Sequence, residues 1–252
     1  KNQYQRRLVP LEVVLSSIMI KNGTLVTMSP HHRVVEDGAI YIEGPKIIDI
    51  GKTRDLEKKY RADQVIDASN SVVMPGLVNS HVHFTSVLRR GIEDDLPLEQ
   101  WLRSLPWLGT GPFLHQLLSK KELAAAFRVV CLEMIKAGIT CYSAGTGLMR
   151  ERYESGLRSF CAFLIMDEIG DYRSVFQCIR ENYSDLFHFG LGPAWVVGAG
   201  LWIPENTLIE VKEAADRHNL KIHMHVAESR EEIQKIRRKH GCEGTVEYLE
   251  RL

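Results

Sequence analysis

Two pairs of histidines are the residues of this sequence whose type and spacing could do chemistry. His81 and His83 follow the apolar run 72–78, and His223 and His225 end a second apolar run. Residues two apart on a strand point to the same side, so the imidazoles of a pair lie about 6–7 Å apart and can share one ion. A single pair could equally be polar residues that face water, but two pairs in one chain favour a metal site.

Both histidine pairs lie at the ends of predicted strands, which indicates where in the fold the metal site would be. If the two strands are parallel, both pairs lie at the same end of the sheet, which is where α/β folds place their sites. Three or more imidazoles at one such end favour zinc or iron over magnesium or calcium. Glu228, three residues after His225, would then lie just past the last ligand, near a metal-bound water or a substrate ring.

The elements that must position these residues follow a repeated pattern from residue 71 onward. Apolar strand segments alternate with helices of about 10–15 residues, which is typical of a parallel α/β sheet. The predicted strands, the first of which runs into a loop, span residues 72–84, 139–143, 161–167, 187–191 and 221–227. The predicted helices span residues 120–137, 150–158, 172–183, 205–218 and 230–252. We therefore expect five βα units.

The residues before this region have a different pattern. Short β segments are separated by Asn22-Gly23, Asp37-Gly38 and Gly44-Pro45. Asn-Gly and Asp-Gly between apolar runs are strong hairpin signals, because these residues tolerate positive φ. We predict a small antiparallel β portion over residues 1–70, in which 1–16 are a candidate extension, and a main α/β domain over 71–252.

Composition limits the partners and the location. The chain has 252 residues with 32 basic and 32 acidic side chains, and this balance gives no reason to expect binding to nucleic acid or to an anionic membrane. The longest apolar candidate near the start, residues 8–20, contains Pro10 and Glu12 and is shorter than the roughly 20 apolar residues of a membrane span. The five cysteines form no CxxC pair, which favours a reducing, cytoplasmic location.

Several stretches of the sequence resemble the amidohydrolase superfamily. Residues 74–83, MPGLVNSHVH, are similar to its signature. Residues 88–91, LRRG, and 94–102, DDLPLEQWL, are similar to the branch that holds methylthioadenosine/S-adenosylhomocysteine deaminases, guanine deaminase and triazine hydrolases such as atrazine chlorohydrolase. Residues 225–229, HVAES, match the HxxE element of that branch. The resemblance extends from about residue 18 to residue 252.

This resemblance implies a fold and a set of site residues. The fold is a distorted (β/α)8 TIM-type barrel, of which about five of eight units are present, with a small β-sandwich built from both chain termini. His81 and His83 would be metal ligands after strand one, and His225 would be the ligand after strand five. Glu228 would contact the substrate and shuttle a proton to it. Trp101 would form a wall of the substrate pocket, although an aromatic residue on an amphipathic helix could equally belong to the core.

The implied function is that of a metal-dependent hydrolase, with zinc as the first choice of ion and iron as the second. The substrate would be a small amino-substituted nitrogen heterocycle of the purine, pterin or triazine type, deaminated by attack of metal-bound hydroxide. Leu108 and Ala194 replace a glutamate and a histidine of adenosine-type members, which weakens a nucleoside assignment. The alternatives are a hydrolytic dechlorinase of a triazine-like ring and a catalytically incomplete metal-binding fragment.

The third alternative follows from two expected residues that do not appear. The resemblance implies a histidine after strand six and an aspartate after strand eight, the latter as ligand and general base. Only His240 follows the HxxE element, in a charged helical run where we expect exposure to solvent. We therefore expect residues 1–252 to be a fragment or truncated form, inert and prone to aggregate because sheet edges are open. A homo-oligomer is compatible with the full-length form.

Overall fold

The structure, a computed structural model, divides into two compact units between Pro75 and Gly76. The residues that it describes are 16–31, 33–91, 95–98, 100–101, 118–145, 147–165, 175–177, 179, 181, 184–193, 197–198 and 201–252. The division falls a few residues after the boundary expected at residue 70. Within these described ranges, no helix has the length and apolar character needed to cross a membrane.

The first unit is a mixed five-stranded sheet. Its strands are β1 (Ser17–Val26), β2 (Val34–Glu43), β3 (Lys46–Lys52), β4 (Gln64–Asp67) and β5 (Val72–Val73). β1, β2 and β3 form an antiparallel meander, whereas β4 and β5 both pair with β1 in parallel. The prediction of an antiparallel portion over residues 1–70 is therefore wrong for β4, because helix α1 (Thr53–Lys59) crosses back before β4 begins. The strand predicted for 72–84 is also wrong at its start, since β5 belongs to this unit and only β6 (Leu77–Asn79) belongs to the second. The β-sandwich stays a prediction.

Two predicted turns of this unit lie inside strands. Asn22 and Asp37 have φ angles of 65° and 45°, in keeping with their place before glycine, but the same strand continues after each of them. Gly23 pairs with Gly38 across β1 and β2, and the register shifts on both sides of Gly23. The two dipeptides therefore lie opposite each other where the pairing of β1 with β2 is irregular. The hairpin turns predicted at both positions are wrong.

The second unit contains a parallel sheet whose spatial order follows the chain. Its strands are β6 (Leu77–Asn79), β7 (Ile139–Gly145), β8 (Arg158–Ile165), β9 (Phe187–Pro193) and, after the short antiparallel pair β10 (Val197–Gly198) and β11 (Leu201–Trp202), β12 (Lys221–Ile222). Its helices are α2 (Lys120–Lys136), α3 (Met149–Ser155), α4 (Glu205–His218), α5 (Arg230–His240) and α6 (Thr245–Glu250). All neighbouring strands of the sheet β6-β7-β8-β9-β12 are parallel, which confirms the predicted α/β pattern. The number of units in a complete barrel stays a prediction.

Several predicted element ends differ from the observed ones. The helix predicted for 230–252 is two helices, because Gly241 adopts a φ of 64° and ends α5. The helix predicted for 150–158 ends at Ser155, because Gly156 adopts a φ of 69°. The strand predicted for 221–227 ends at Ile222. Much of the helix predicted for 172–183 and the end of the strand predicted for 161–167 lie outside the described residues.

The break at Gly241 also changes the surroundings of His240. The His240 ring packs on the Tyr248 ring with centroids 4.1 Å apart, and its Nδ1 lies 3.8 Å from a carboxylate oxygen of Glu205. Only 17% of the His240 side chain is exposed. The predicted exposure of His240 to solvent is therefore wrong, since the chain turns after Gly241 and brings α6 onto the ring.

A buried arginine holds the carboxyl end of β7. Arg152 on α3 is 2% exposed and donates hydrogen bonds to the carbonyl oxygens of Gly145 and Gly147 and to the Tyr142 hydroxyl. Burial raises the pKa of Tyr142 to about 12, so the phenol stays neutral beside the guanidinium. The guanidinium also lies 5.4–5.5 Å from the ring centres of three buried aromatic residues: Phe84, Phe127 and Tyr142. One side chain thus ties α3, α2 and the end of β7 together.

We expect Arg152→Met to lower the free energy of unfolding by about 3 kcal/mol, because two carbonyl oxygens and a phenol would lose a buried donor. Arg150→Met is the matched control, since Arg150 lies on the same helix with a side chain 78% exposed. The control should change the free energy by less than about 0.5 kcal/mol. Urea unfolding measures both, and equal losses in the two variants would contradict the role given to Arg152.

Candidate metal centre

The first histidine pair lies in the loop that follows β6. This loop is held on one side by a hydrogen bond from the Val82 N–H to the Ser143 carbonyl oxygen at the end of β7, 3.0 Å. On the other side, His83 precedes a 3₁₀ helix, Phe84–Arg89, whose first residue is buried. The Phe84 ring stacks on Phe127 of α2 with centroids 4.1 Å apart. The Val82 hydrogen bond and the stacked Phe84 ring therefore fix the segment that carries the His81 and His83 imidazoles.

The second pair follows β12. The His223 N–H donates to the Leu191 carbonyl oxygen at 2.9 Å, which keeps the chain beside β9 past the last residue of the strand. The His223 ring shares a hydrogen bond of 2.9 Å between Nδ1 and the Ser143 hydroxyl. Ser143 is thus in contact with both histidine segments, through its carbonyl oxygen to Val82 and through its hydroxyl to His223.

Three of the four imidazoles converge. The Nε2 atom of His81 is 2.9 Å from Nε2 of His83 and 3.2 Å from Nε2 of His225. β6 and β12 are the two edges of the sheet, and edges of a flat five-stranded sheet lie about 19 Å apart. The contact between His81 and His225 therefore requires a curled sheet, in which the carboxyl ends of both edge strands face one point, as in a barrel.

The dimensions of this cluster fit a four-coordinate transition ion. One nitrogen from each of His81, His83 and His225 lies within 4.8 Å of the others, and among the described residues these form the group able to hold a metal. Zinc–imidazole bonds of about 2.0–2.1 Å at tetrahedral angles place ligand nitrogens about 3.4 Å apart. The observed separations of 2.9 and 3.2 Å are close to that value. Three imidazoles also leave a fourth position open.

Electrostatics favours the neutral form of the His81 and His223 rings, and the neutral imidazole is the form that binds metals. Burial, followed by the neighbouring His225 and His223 rings, lowers the pKa of His81 below its ordinary value. Burial and His225 likewise lower the pKa of His223. A lowered pKa means that protonation of these two rings requires a more acidic solution than protonation of a free imidazole.

An open cavity of about 500 Å³ lies beside His81 and His223. Its lining includes His81, Tyr142, Ser143, Phe160 and His223. Small-molecule sites commonly have volumes of about 300–1,000 Å³ and combine aromatic walls with a few polar groups. The space beside the imidazoles is therefore of a size that accepts a heterocyclic ring.

The other predicted site residues are placed less fully. Glu228 lies in the turn between β12 and α5 with an exposed side chain, and its N–H donates to a carboxylate oxygen of Glu232 at 2.8 Å. Trp101 is half-buried, and its backbone N–H donates to the Pro97 carbonyl oxygen at 2.9 Å. The roles of Glu228 and Trp101 in substrate binding stay predictions. Leu108 and Ala194 lie outside the described residues.

Sequence reasoning missed two residues of this region. Ser143 had no pattern that could link it to a histidine 80 residues later. Glu232 did have a signal, because Ser229 and Glu232 form the Ser-x-x-Glu pattern of a helix start. That pattern predicts a helix cap, and nothing in it indicates the contact with Glu228.

A curled parallel sheet with histidines at the carboxyl ends of its edge strands is typical of α/β proteins of the barrel class. The profile of the amidohydrolase family matches residues 72–252, which is most of the chain. The chain therefore belongs to the amidohydrolase family. This confirms the resemblance seen in the sequence.

The curated relatives that the chain matches include two kinds of deaminase. The chain is 31% identical over 236 residues to a 5'-deoxyadenosine deaminase of Methanococcoides burtonii, an alignment that covers 90% of this chain and 52% of that protein. It is 30% identical to a 5-methylthioadenosine/S-adenosylhomocysteine deaminase of Thermodesulfovibrio yellowstonii, covering 94% of this chain and 55% of that protein. The chain thus spans about half the length of the curated relatives it matches.

Solved structures show the same fold at lower identity. An adenosine deaminase from Xanthomonas campestris with bound zinc superposes with a TM-score of 0.77 at 22% identity, covering 93% of this chain and 54% of that one. Atrazine chlorohydrolase from Arthrobacter aurescens TC1, complexed with zinc, superposes with a TM-score of 0.77 at 20% identity, covering 93% and 58%. The curled parallel sheet is therefore an amidohydrolase-type fold.

We expect His81→Ala to weaken zinc binding by at least about 10-fold, because His81 is the imidazole closest to both of the others. His31→Ala is the control, since His31 is an exposed histidine of the first unit. Titration of the metal-free protein with zinc, followed by elemental analysis, measures the effect. The same zinc affinity in His81→Ala and His31→Ala would contradict the proposed ligand set.

Proposed function

We propose that this chain belongs to a metal-dependent hydrolase that removes an amino group from a nitrogen heterocycle of the purine, pterin or triazine type. The convergence of His81, His83 and His225 at one end of the curled sheet carries this proposal. Membership of the amidohydrolase family and the deaminase names of relatives about 30% identical support it. A cytoplasmic location and a homo-oligomeric full-length form stay predictions.

The three imidazoles would hold a divalent ion, for which zinc is the first choice and iron the second. Such an ion, when bound, supplies a water whose pKa is lowered to about 7. The residues around the ion would hold the histidine segments in place. Ser143 shares a hydrogen bond with the His223 ring and orients it beneath the ligands. The end of β7, fixed by Arg152, in turn orients Ser143 and the Val82 segment.

Glu228 would perform the proton transfer that the substrate requires. Attack of water on a ring carbon places electrons on the adjacent ring nitrogen. A carboxylic acid that gives its proton to that nitrogen prevents the accumulation of negative charge on the ring. The HxxE spacing supports this role, because Glu228 follows His225 by three residues and so comes after the last of the three imidazoles. We propose Trp101 as an aromatic wall against the same ring.

A second candidate is hydrolytic dechlorination of a triazine-like ring. It uses the same imidazoles and the same proton donor, and it differs in the leaving group. The residues Leu108 and Ala194 favour it over an adenosine-type substrate, because they offer no polar contact to a ribose. The deaminase relatives favour the first candidate, which we retain as the conclusion.

In the full-length protein, we expect Glu228→Gln to lower kcat by about 100-fold or more, because glutamine keeps the shape but has no transferable acidic proton. Bound metal should be unchanged. Glu231→Gln is the matched control in the same segment, since Glu231 is exposed and pairs with Lys235. Ammonia release and metal analysis of both variants provide the test, and turnover by Glu228→Gln close to that of Glu231→Gln would reject the role.

The leaving group separates the two candidate functions. We expect the full-length protein with zinc to release ammonia from at least one aminated ring in a panel of aminopurines, aminopterins and aminotriazines. Matched chlorinated rings should release no chloride at a comparable rate. Chloride release without ammonia release would favour the dechlorinase, and release of neither by the zinc-bound protein would favour metal binding without hydrolysis.

A further inference from the structure

The pattern Ser-x-x-Glu occurs at the start of two helices, and the two glutamates behave differently. At the start of α2, Ser119 and Glu122 form a closed capping box. The Ser119 hydroxyl accepts from the Glu122 N–H at 3.3 Å, and the Glu122 carboxylate accepts from the Ser119 N–H at 2.7 Å. Here the carboxylate caps the helix to which it belongs.

At the start of α5, the glutamate of the same pattern reaches further back. The Ser229 hydroxyl accepts from the Glu232 N–H at 3.1 Å, which is the first half of a capping box. The Glu232 carboxylate, however, accepts from the Ala227 N–H through Oε1 at 2.9 Å and from the Glu228 N–H through Oε2 at 2.8 Å. Both oxygens of one side chain thus bind two successive backbone amides of the turn.

This turn has a conformation that needs support. Ala227 has a φ of 53°, in the left-handed region that residues with a Cβ rarely adopt. Two successive N–H groups that face one side form a concave site for an anion, and a carboxylate in that site favours the conformation that creates it. Glu232 therefore stabilises the backbone conformation from which the Glu228 side chain projects.

The carboxylate is itself fixed from a third direction. Its Oε1 accepts from the Thr245 hydroxyl at 2.6 Å, and Thr245 begins α6. Glu232 is 3% exposed and Thr245 is 1% exposed. A buried carboxylate with three donors has little freedom to move, so the position of α6 is transmitted to the turn.

We propose that Glu232 is a positioning residue for Glu228: it sets the orientation of the Ala227–Glu228 turn and thereby sets kcat, without contact with substrate. This proposal rests on the proposed function in one respect, since Glu228 must be the proton donor. It assigns a role in turnover to a buried glutamate whose sequence pattern predicts only a helix cap.

The first measurement is amide hydrogen exchange in the unaltered, metal-free protein. Ala227 and Glu228 are exposed residues, so their amides exchange slowly only if the bonds to Glu232 persist. We expect protection of both amides. Free exchange at both positions would overturn the proposal, whatever the activity and whether or not any variant folds.

The second measurement uses Glu232→Gln with Glu122→Gln as its matched control. A glutamine amide group turns a donor toward one of the two N–H groups, so at least one bond is lost. We expect exchange at Ala227 and Glu228 to rise about 10-fold, and kcat to fall about 10-fold with KM within about 2-fold and metal content unchanged. Glu122→Gln loses an equivalent cap far from the turn and should leave kcat, KM and these two amides unchanged.

The outcomes distinguish the two proposals. Faster exchange at the turn in Glu232→Gln with an unchanged kcat would overturn the positioning role while the proposed function stands. A fall in kcat of the same size in Glu122→Gln would also overturn it, because general loss of stability would then explain both. Absence of ammonia release from the unaltered full-length protein would defeat the proposed function instead, and amide exchange would still decide whether Glu232 holds the turn.

Discussion

Convergence of imidazoles from opposite edges of one parallel sheet is the constraint on which the rest of the second unit depends. His81 follows β6 and His225 follows β12, yet their Nε2 atoms lie 3.2 Å apart. Curl closes that distance through the ladders between them, of which the β6–β7 ladder shifts register between Leu77 and Val78. In the middle of the sheet, β8 pairs with β9 without a shift from Ser159 to Ile165. The geometry of the site is therefore a property of the whole sheet.

Curl also sets requirements on side-chain size along the inner face. A Cβ on Gly190 would lie 2.4 Å from the Lys221 carbonyl oxygen and 2.4 Å from the Phe160 ring. Glycine at this position allows β12 and Phe160 to approach β9 closely, which brings the following histidines inward. On the outer side, at the end of β7, the Arg152 guanidinium donates hydrogen bonds to the carbonyl oxygens of Gly145 and Gly147. Close packing inside and buried polar contacts outside fix the same strand ends.

The sequence predicted those features that arise from short-range periodicity. Alternation of strands and helices predicted the parallel sheet, and the spacing in His81-Val82-His83 predicted side chains that could converge. Positive φ at Asn22 was predictable too, but its consequence was not, because whether a glycine dipeptide makes a turn or a bulge depends on the facing strand. The prediction of a single helix over residues 230–252 failed at Gly241 for a related reason. Contacts made after the break, such as Tyr248 on His240, decide whether a glycine interrupts a helix.

The two Ser-x-x-Glu segments show the limit of local patterns most directly. Their four-residue sequences predict the same cap, and in both the serine hydroxyl accepts the expected N–H. The carboxylates differ because their surroundings differ. Glu122 lies at an exposed helix end and closes on Ser119, whereas Glu232 is enclosed by α6, and the turn before α5 presents two amides to it. Burial makes the Glu232 carboxylate costly to leave without donors, so it binds those amides rather than its own helix. A local pattern thus fixes the presence of the carboxylate, and tertiary packing fixes its partner.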